Sequence, residues 1–156
     1  MAKNTVKIKK YLDVVEEYVA VAAITPGHFV ELTSAGKVQV HATAGGNIVP
    51  MVALENELEG QTISDAYAAD DPVQVWIPQR GEQVYALLKD GENVAIGAFL
   101  ESAGDGTLQA HTPDVNVSDE SDNILGNQIV AVALEAVYMS GSSGADPSGR
   151  IEVMIV

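Results

Sequence analysis

The stretch PVQVWIPQRGEQVYALL, residues 72–88, decides the fold. Val73, Val75 and Ile77 alternate with Gln74 and Trp76, and this period of two belongs to a strand with one buried face. Residues 84–88 (VYALL) form a short, nearly continuous apolar run. Its length and polar flanks fit a buried strand better than a helix. Between the two, Gln79-Arg80-Gly81 has the chemistry of a turn and predicts a hairpin loop.

The same grammar extends in both directions. GKVQVHA, residues 36–42, sets Val38, Val40 and Ala42 opposite Lys37, Gln39 and His41, and RIEVMIV, residues 150–156, places Ile151, Val153 and Ile155 on one face. IVAVAL, residues 129–134, is a second buried run. Pro26-Gly27, Ala35-Gly36, Gly45-Gly46, Asp90-Gly91 and Gly104-Asp105-Gly106 punctuate the strands. This spacing predicts an all-β domain, small and barrel- or sandwich-like, with at most one or two short helical turns. Two stretches read less simply. Tyr11, Val14, Val15, Tyr18, Val19 and Ala22 fall at helical spacing, but the segment is β-branched and runs into the alternation of Val19, Val21 and Ala23, so a strand is expected from about Glu17. Residues 64–69 fit one helical turn capped by Ser64. The polar segments 110–127 and 141–149 read as exposed, mobile excursions.

Bulk properties bound the rest. A chain of 156 residues is most simply one domain. At that size roughly 68–70% of the unfolded surface can be buried. Cysteine is absent, so neither disulfides nor thiolate metal sites contribute. With one Trp, five Tyr and two Phe, the core must be aliphatic. No apolar run approaches the ~20 residues of a membrane span, so no membrane partner is expected. The N-terminus lacks the apolar stretch and cleavage site of a signal peptide.

Charge is unevenly placed. The net charge is −14, from 22 Asp and Glu against 8 Lys and Arg, and four of the eight cations (Lys3, Lys7, Lys9, Lys10) lie in the first ten residues. The acidic body argues against a nucleic-acid partner, because such binding draws on Lys and Arg neutralising phosphates. In the leader Thr5, Val6, Lys7, Ile8 and Lys9 alternate β-branched residues with lysines, with Lys10 and Tyr11 following. The expectation is an extended N-terminal arm, residues 1–16, ahead of a β-rich body, residues 17–156. Such an arm, mobile in the free protein, can add itself as a strand to a neighbour's sheet edge. Trp76 and Arg80 are further candidate interface residues, from the general enrichment of aromatics and arginine at contacts.

No catalytic, cofactor-binding or metal-binding residue is nominated. There is no nucleophile motif, and His28, His41 and His111 stand in separate segments, with His41 expected at the surface of its strand. Zinc spacings and phosphate-binding loops are missing. The acidic run Asp114, Asn116, Ser118, Asp119, Glu120, Asp122 fails the calcium-loop pattern, with Asp119 and Leu125 where Gly and Glu are required.

The ordered set AAITPGHFVEL, GKVQVHA, AGGNIVPMVALE, DDPVQVWIPQRGEQVYALL, ENVAIGAFLESAGDGTLQAH and IVAVALEA resembles the capsid cement, or head decoration, proteins of tailed bacteriophages. The likeness lies in an M-A-K-N leader and an I-x-x-G-x-x-V strand from Ile24 to Val30. A V-A-L-E strand from Val52 to Glu55 and a G-x-F-L-x-S-x-x-D-G turn from Gly97 to Gly106 follow. The resemblance covers nearly the whole chain from Ala2. It implies a protein without enzymatic activity or cofactor, made in the host cytoplasm. It further implies a homotrimer on the outer surface of the virion capsid, with the major capsid protein as partner and contacts between capsomers stabilised. The leader is then the capsid-binding arm.

Three other functions stay open at this level. A carrier domain needs a lysine at a hairpin tip beside methionines, and neither Lys37 nor Lys89 has that setting. A small enzyme or carbohydrate-binding β-module needs a site, and Trp76 is the only tryptophan. A tail or fibre structural component differs from cement by location on the particle.

Overall fold

Thirteen short strands and one 3-10 turn make up the regular structure of the described residues. The computed structural model describes residues 3–112, 128–139 and 149–156. The sequence readings for 113–127 and 140–148 fall outside them. In chain order the strands are β1 (Lys7–Lys9), β2 (Val15–Val19), β3 (Val30–Leu32), β4 (Val38–Val40), β5 (Val52–Ala53), β6 (Pro72–Trp76) and β7 (Gln83–Leu87). They continue as β8 (Asn93–Val94), β9 (Phe99–Ser102), β10 (Leu108–Ala110), β11 (Ala131–Ala133), β12 (Val137–Tyr138) and β13 (Arg150–Ile155). The chain is all-β, as its alternation predicts.

The strands assemble into a six-stranded sheet in the order β1-β7-β13-β11-β9-β10, a three-stranded sheet β2-β6-β5, and the pairs β3-β4 and β12-β8. All named pairings are antiparallel. Leu108 in β10 also bridges Leu88, just after β7, and the sheets do not form a closed barrel. On its inner face Ile151, Val153 and Ile155 of β13 sit in register with Ala86, Val84 and the alanines of β11, and all are buried.

Two cores flank the three-stranded sheet. The larger holds the inner face of the six-stranded sheet together with Trp76, Val52, Leu54 and Phe29. The smaller holds Val73, Val75 and Ala53 from the other face, packed on Val30 and Val38 of the β3-β4 pair and on Ile24, Met51 and Tyr67. Strand β6 therefore lies in a middle layer. Successive side chains enter different cores, and Val75 and Trp76 are both fully buried. The strand expected to bury one face does so at Val73 and Val75, and at its end Trp76 buries the other face as well.

The hairpin expected across Gln79-Arg80-Gly81 is not formed. β6 pairs with β2 and β5, whereas β7 pairs with β1 and β13. The turn is real, closed by Glu82 N–H to Gln79 O at 3.0 Å, but it carries the chain from one sheet to the other. The helical turn expected at 64–69 is also absent. The single 3-10 turn is Glu57–Glu59. Asp65 accepts from the Thr62 amide and hydroxyl at 2.7 and 2.8 Å, and Tyr67 instead bridges Ile24, with its hydroxyl donating to Leu54 O at 2.7 Å. Burying the Tyr67 ring in the second core outweighs local helix formation. Strand β2 begins at Val15, two residues before the expected start.

The Pro26-Gly27 turn positions a half-buried titratable group. Thr25 N–H donates to His28 Nδ1 at 3.1 Å, and burial pushes the imidazole pKa down to about 4 from the usual 6.5, with Asp105 opposing and Arg150 assisting. The folded state thus favours neutral His28, while the unfolded chain takes up the proton first as pH falls. The associated stability is complete above pH 6.5 and is lost as pH falls from there to about 4. It amounts to about 3 kcal/mol at most. His28→Gln, which keeps an acceptor for the Thr25 amide, is expected to reduce the fall in melting temperature between neutral pH and pH 4.5. Thermal unfolding of both proteins across that range measures it.

Candidate functional site

The leader is not an arm extending from the body. It is the edge of the large sheet. Val6 is fully buried in the main core with Ile8 packed against it, and β1 pairs with β7 in the register Lys7↔Val84. Tyr85 N–H donates to Val6 O at 2.8 Å. The division expected at residue 16 therefore does not separate an arm from a body. The reason lies in the sequence pattern itself: Val6 and Ile8 alternate with lysines as a half-buried strand does, and the nearest free edge is this chain's own β7.

Two body carboxylates grip the leader through its main chain. Glu55 accepts from Val6 N–H at 3.1 and 3.3 Å. Glu82, fully buried, accepts from Tyr11 N–H, from Leu12 N–H at 2.8 Å and from Gln79 N–H at 2.5 Å. Burial opposes ionisation of Glu82, but the amides of Gln79, Leu12 and Tyr11 outweigh it and hold the carboxyl below its usual range. Neither acid carried a sequence signal, because each is satisfied by backbone amides rather than by a cationic partner.

The lysines divide into two groups. Lys3 pairs with Glu152 and lies 5.2 Å from the centre of the Tyr85 ring. Lys7 and Lys10 both reach Asp13, at 2.7 and 2.5 Å, and with Lys10 contributing more than Lys7 they hold its carboxyl below the usual range. Lys9 is exposed, stands 5.4 Å from the Tyr11 ring and has no ion pair among the described residues. Thr5 is half-buried and lines a groove of about 190 Å³ with Lys7, Val15, Leu54 and Glu55.

Of the other two nominated residues, Trp76 offers no surface. Its ring is fully buried in the main core, 5.9 Å from Lys7 Nζ, because β6 has a core on each side. Arg80 is exposed and without an ion pair among the described residues. The Glu82 bonds bring its turn beside residues 11 and 12. The result is a corner at which the backbone is fixed and the side chains face outward. Tyr11 is 65% exposed and Leu12 57%, with Lys9, Lys10 and Arg80 around them. Three of eight cations and two large apolar side chains thus share one corner of a protein of net charge −14. Leu12 was missed in the sequence; its exposure follows from the Glu82 grip, which no local pattern reveals.

The histidines do not stand alone. His41, 2% exposed rather than at the surface, has Nδ1 2.7 Å from Ser102 Oγ and Nε2 3.1 Å from Asn47 O, with Glu31 at 3.6 Å. Ser102 is fully buried, so its hydroxyl ties β9 to the end of β4 inside the protein. His111 Nδ1 lies 2.8 Å from Glu101. Among the described residues no group of three or more acidic, His or Cys side chains is arranged to hold a metal ion. No described helix is long and apolar enough to cross a membrane.

Fold and corner together define an all-β, sandwich-type protein with two cores about a central three-stranded sheet. Its fold is similar to that in the crystal structure of the head fiber gp8.5 N base in bacteriophage phi29, with a TM-score of 0.55 and 11% identity, over 93% of this chain and 95% of that one. At that identity the likeness is one of fold. No protein-family model matches the sequence, and no curated protein matches it.

Proposed function

We propose that this chain is a structural protein of a phage particle. In this reading it is a capsid decoration protein that binds the outer surface of the assembled head as a homotrimer and stabilises contacts between capsomers. The supporting observation is the shared fold with a phage head-fiber base over nearly the full length of both chains. The ordered motifs of the sequence point the same way. A second reading, the base of a head fibre, is favoured by the description of that same neighbour, and reconstructed heads distinguish a low knob from a projecting fibre.

Within this reading the attachment surface is the corner of Lys9, Lys10, Tyr11, Leu12 and Arg80. The rest of the nominated arm is engaged within the protein: Val6 lies in the core, Lys3 pairs with Glu152, and Lys7 shares Asp13 with Lys10, so that Lys9 and Arg80 are the corner's cations without an ion pair among the described residues. Exposed aromatic and arginine side chains are the kind that carry interface energy. A cationic rim on an acidic protein selects an acidic partner surface. The variant Lys9→Glu/Leu12→Glu/Arg80→Glu is expected to keep its melting temperature within a few degrees and to bind heads at least tenfold more weakly. Co-sedimentation with undecorated heads measures this, and wild-type binding should weaken with salt.

A further inference from the structure

Strand β2 is the outer strand of its sheet, in the order β2-β6-β5. Its ladder with β6 uses every second residue: Val14 O accepts from Ile77 N–H at 2.9 Å, and Ala20 N–H donates to Asp71 O at 2.9 Å. By that alternation the N–H groups of Val15, Glu17 and Val19 point away from β6. Among the described residues no strand pairs along this edge. It closes only beyond β2, where Val21 N–H donates to Val38 O at 2.9 Å. Val14 and Val19 are 41% and 40% exposed along it. Glu16 and Glu17 are exposed on opposite faces of the strand; neither has an ion pair among the described residues, and Glu17 accepts from Gln74 Nε2 at 2.7 Å.

We propose that this edge receives an extended segment of the partner protein, one in which lysine or arginine alternates with β-branched residues, as a fourth strand. Main-chain hydrogen bonds to the outward amides supply affinity, and alternate side chains supply selectivity. Glu17 chooses the occupant, with Glu16 adding negative charge on the opposite face of the strand. A second copy pairing antiparallel about Glu17 sets Glu17 against Glu17, and like charges directly opposite destabilise a sheet. A cationic segment reverses that sign and covers the exposed valines. Acidic residues on an edge are a common guard against self-pairing; here the guard leaves the edge open to the opposite charge. Identifying the partner as the shell protein rests on the function proposed above, whereas the strand-accepting edge does not.

The probe is a blocked peptide of alternating lysine and valine, with a glutamate-valine peptide as control. Glu17→Pro removes an outward N–H while leaving the β6 ladder intact, a position where proline is tolerated in edge strands. Glu16→Lys/Glu17→Lys reverses the charge without touching the backbone and serves if the proline variant fails to fold. Wild type is expected to bind the lysine peptide with amide NMR shifts concentrated at residues 15–19. Both variants are expected to bind it at least tenfold more weakly. Equal binding by a folded variant, or shifts spread over the acidic surface, overturns the proposal. So does wild-type self-association that Glu17→Pro abolishes, since the occupant is then a second copy. If the peptide binds at the edge but wild type ignores phage heads, the edge stands and the proposed function falls. If heads take up the variants as fully as wild type, the edge is not the shell contact and the partner named here is wrong.

Discussion

A chain lacking residues 2–10 is expected to lose most of its native structure. The deletion takes Val6 out of the main core, strips β1 from β7 and leaves the buried Glu55 carboxylate without the Val6 amide. Full burial of one valine is worth about 1.5–3 kcal/mol. The lost main-chain bonds add about 1 kcal/mol each, and the orphaned carboxylate adds a desolvation cost. A total of about 5 kcal/mol rivals the whole stability of many domains and corresponds to a fall of at least ~10 °C in melting temperature. Circular dichroism and thermal unfolding of the truncated protein measure it. Retention of the wild-type melting temperature would mean that β1 is a dispensable tail.

Glu82→Ala is expected to have the next largest effect. One fully buried carboxylate accepts three backbone amides, from Gln79, Tyr11 and Leu12, and joins the sheet-to-sheet turn to the end of the leader. Removing it leaves those amides without acceptors, at a cost of about 3–4 kcal/mol, or roughly 10 °C in melting temperature. The acid response provides an independent check. The folded-state pKa of Glu82 is depressed, so its contribution is present above the usual carboxylate range and is lost as pH falls from that range through the lower folded-state pKa. The alanine variant should therefore lose less stability than wild type on acidification below about pH 4.5. A variant as stable as wild type, with the same acid profile, would show that the amides find water instead.

Much of the fold was legible because alternation is a local property. Ile151, Val153 and Ile155 face the core as their spacing requires, and the glycine-marked turns fall where expected. Layering was less legible. PVQVW has the same period whether one face or both are buried, and only the packing of the main core on Trp76, opposite Val73 and Val75, distinguishes these cases. Gln79-Arg80-Gly81 has the chemistry of a turn, but the sequence does not state whether the following strand folds back beside its predecessor or crosses to another sheet.

The candidate site had the same ambiguity in sharper form. Val6 and Ile8 among lysines read correctly as a strand seeking an edge, but an edge on this chain and an edge on a neighbour make identical demands on sequence. The buried acceptors Glu55 and Glu82 look like ordinary surface acids in an acidic protein, since backbone amides leave no complementary residue to recognise. His41 misled for a related reason. Just after β4, it faces Ser102 and Asn47 O, and partners outside the strand cannot be seen from the strand's own pattern.

Cryo-electron microscopy of phage heads prepared with and without this protein is the most direct test of the proposed function. The predicted result is added density only in the decorated heads, on the outer surface where capsomers meet, with the Tyr11, Leu12 and Arg80 corner turned toward the shell. Identical head maps, or density confined to the tail, would contradict it.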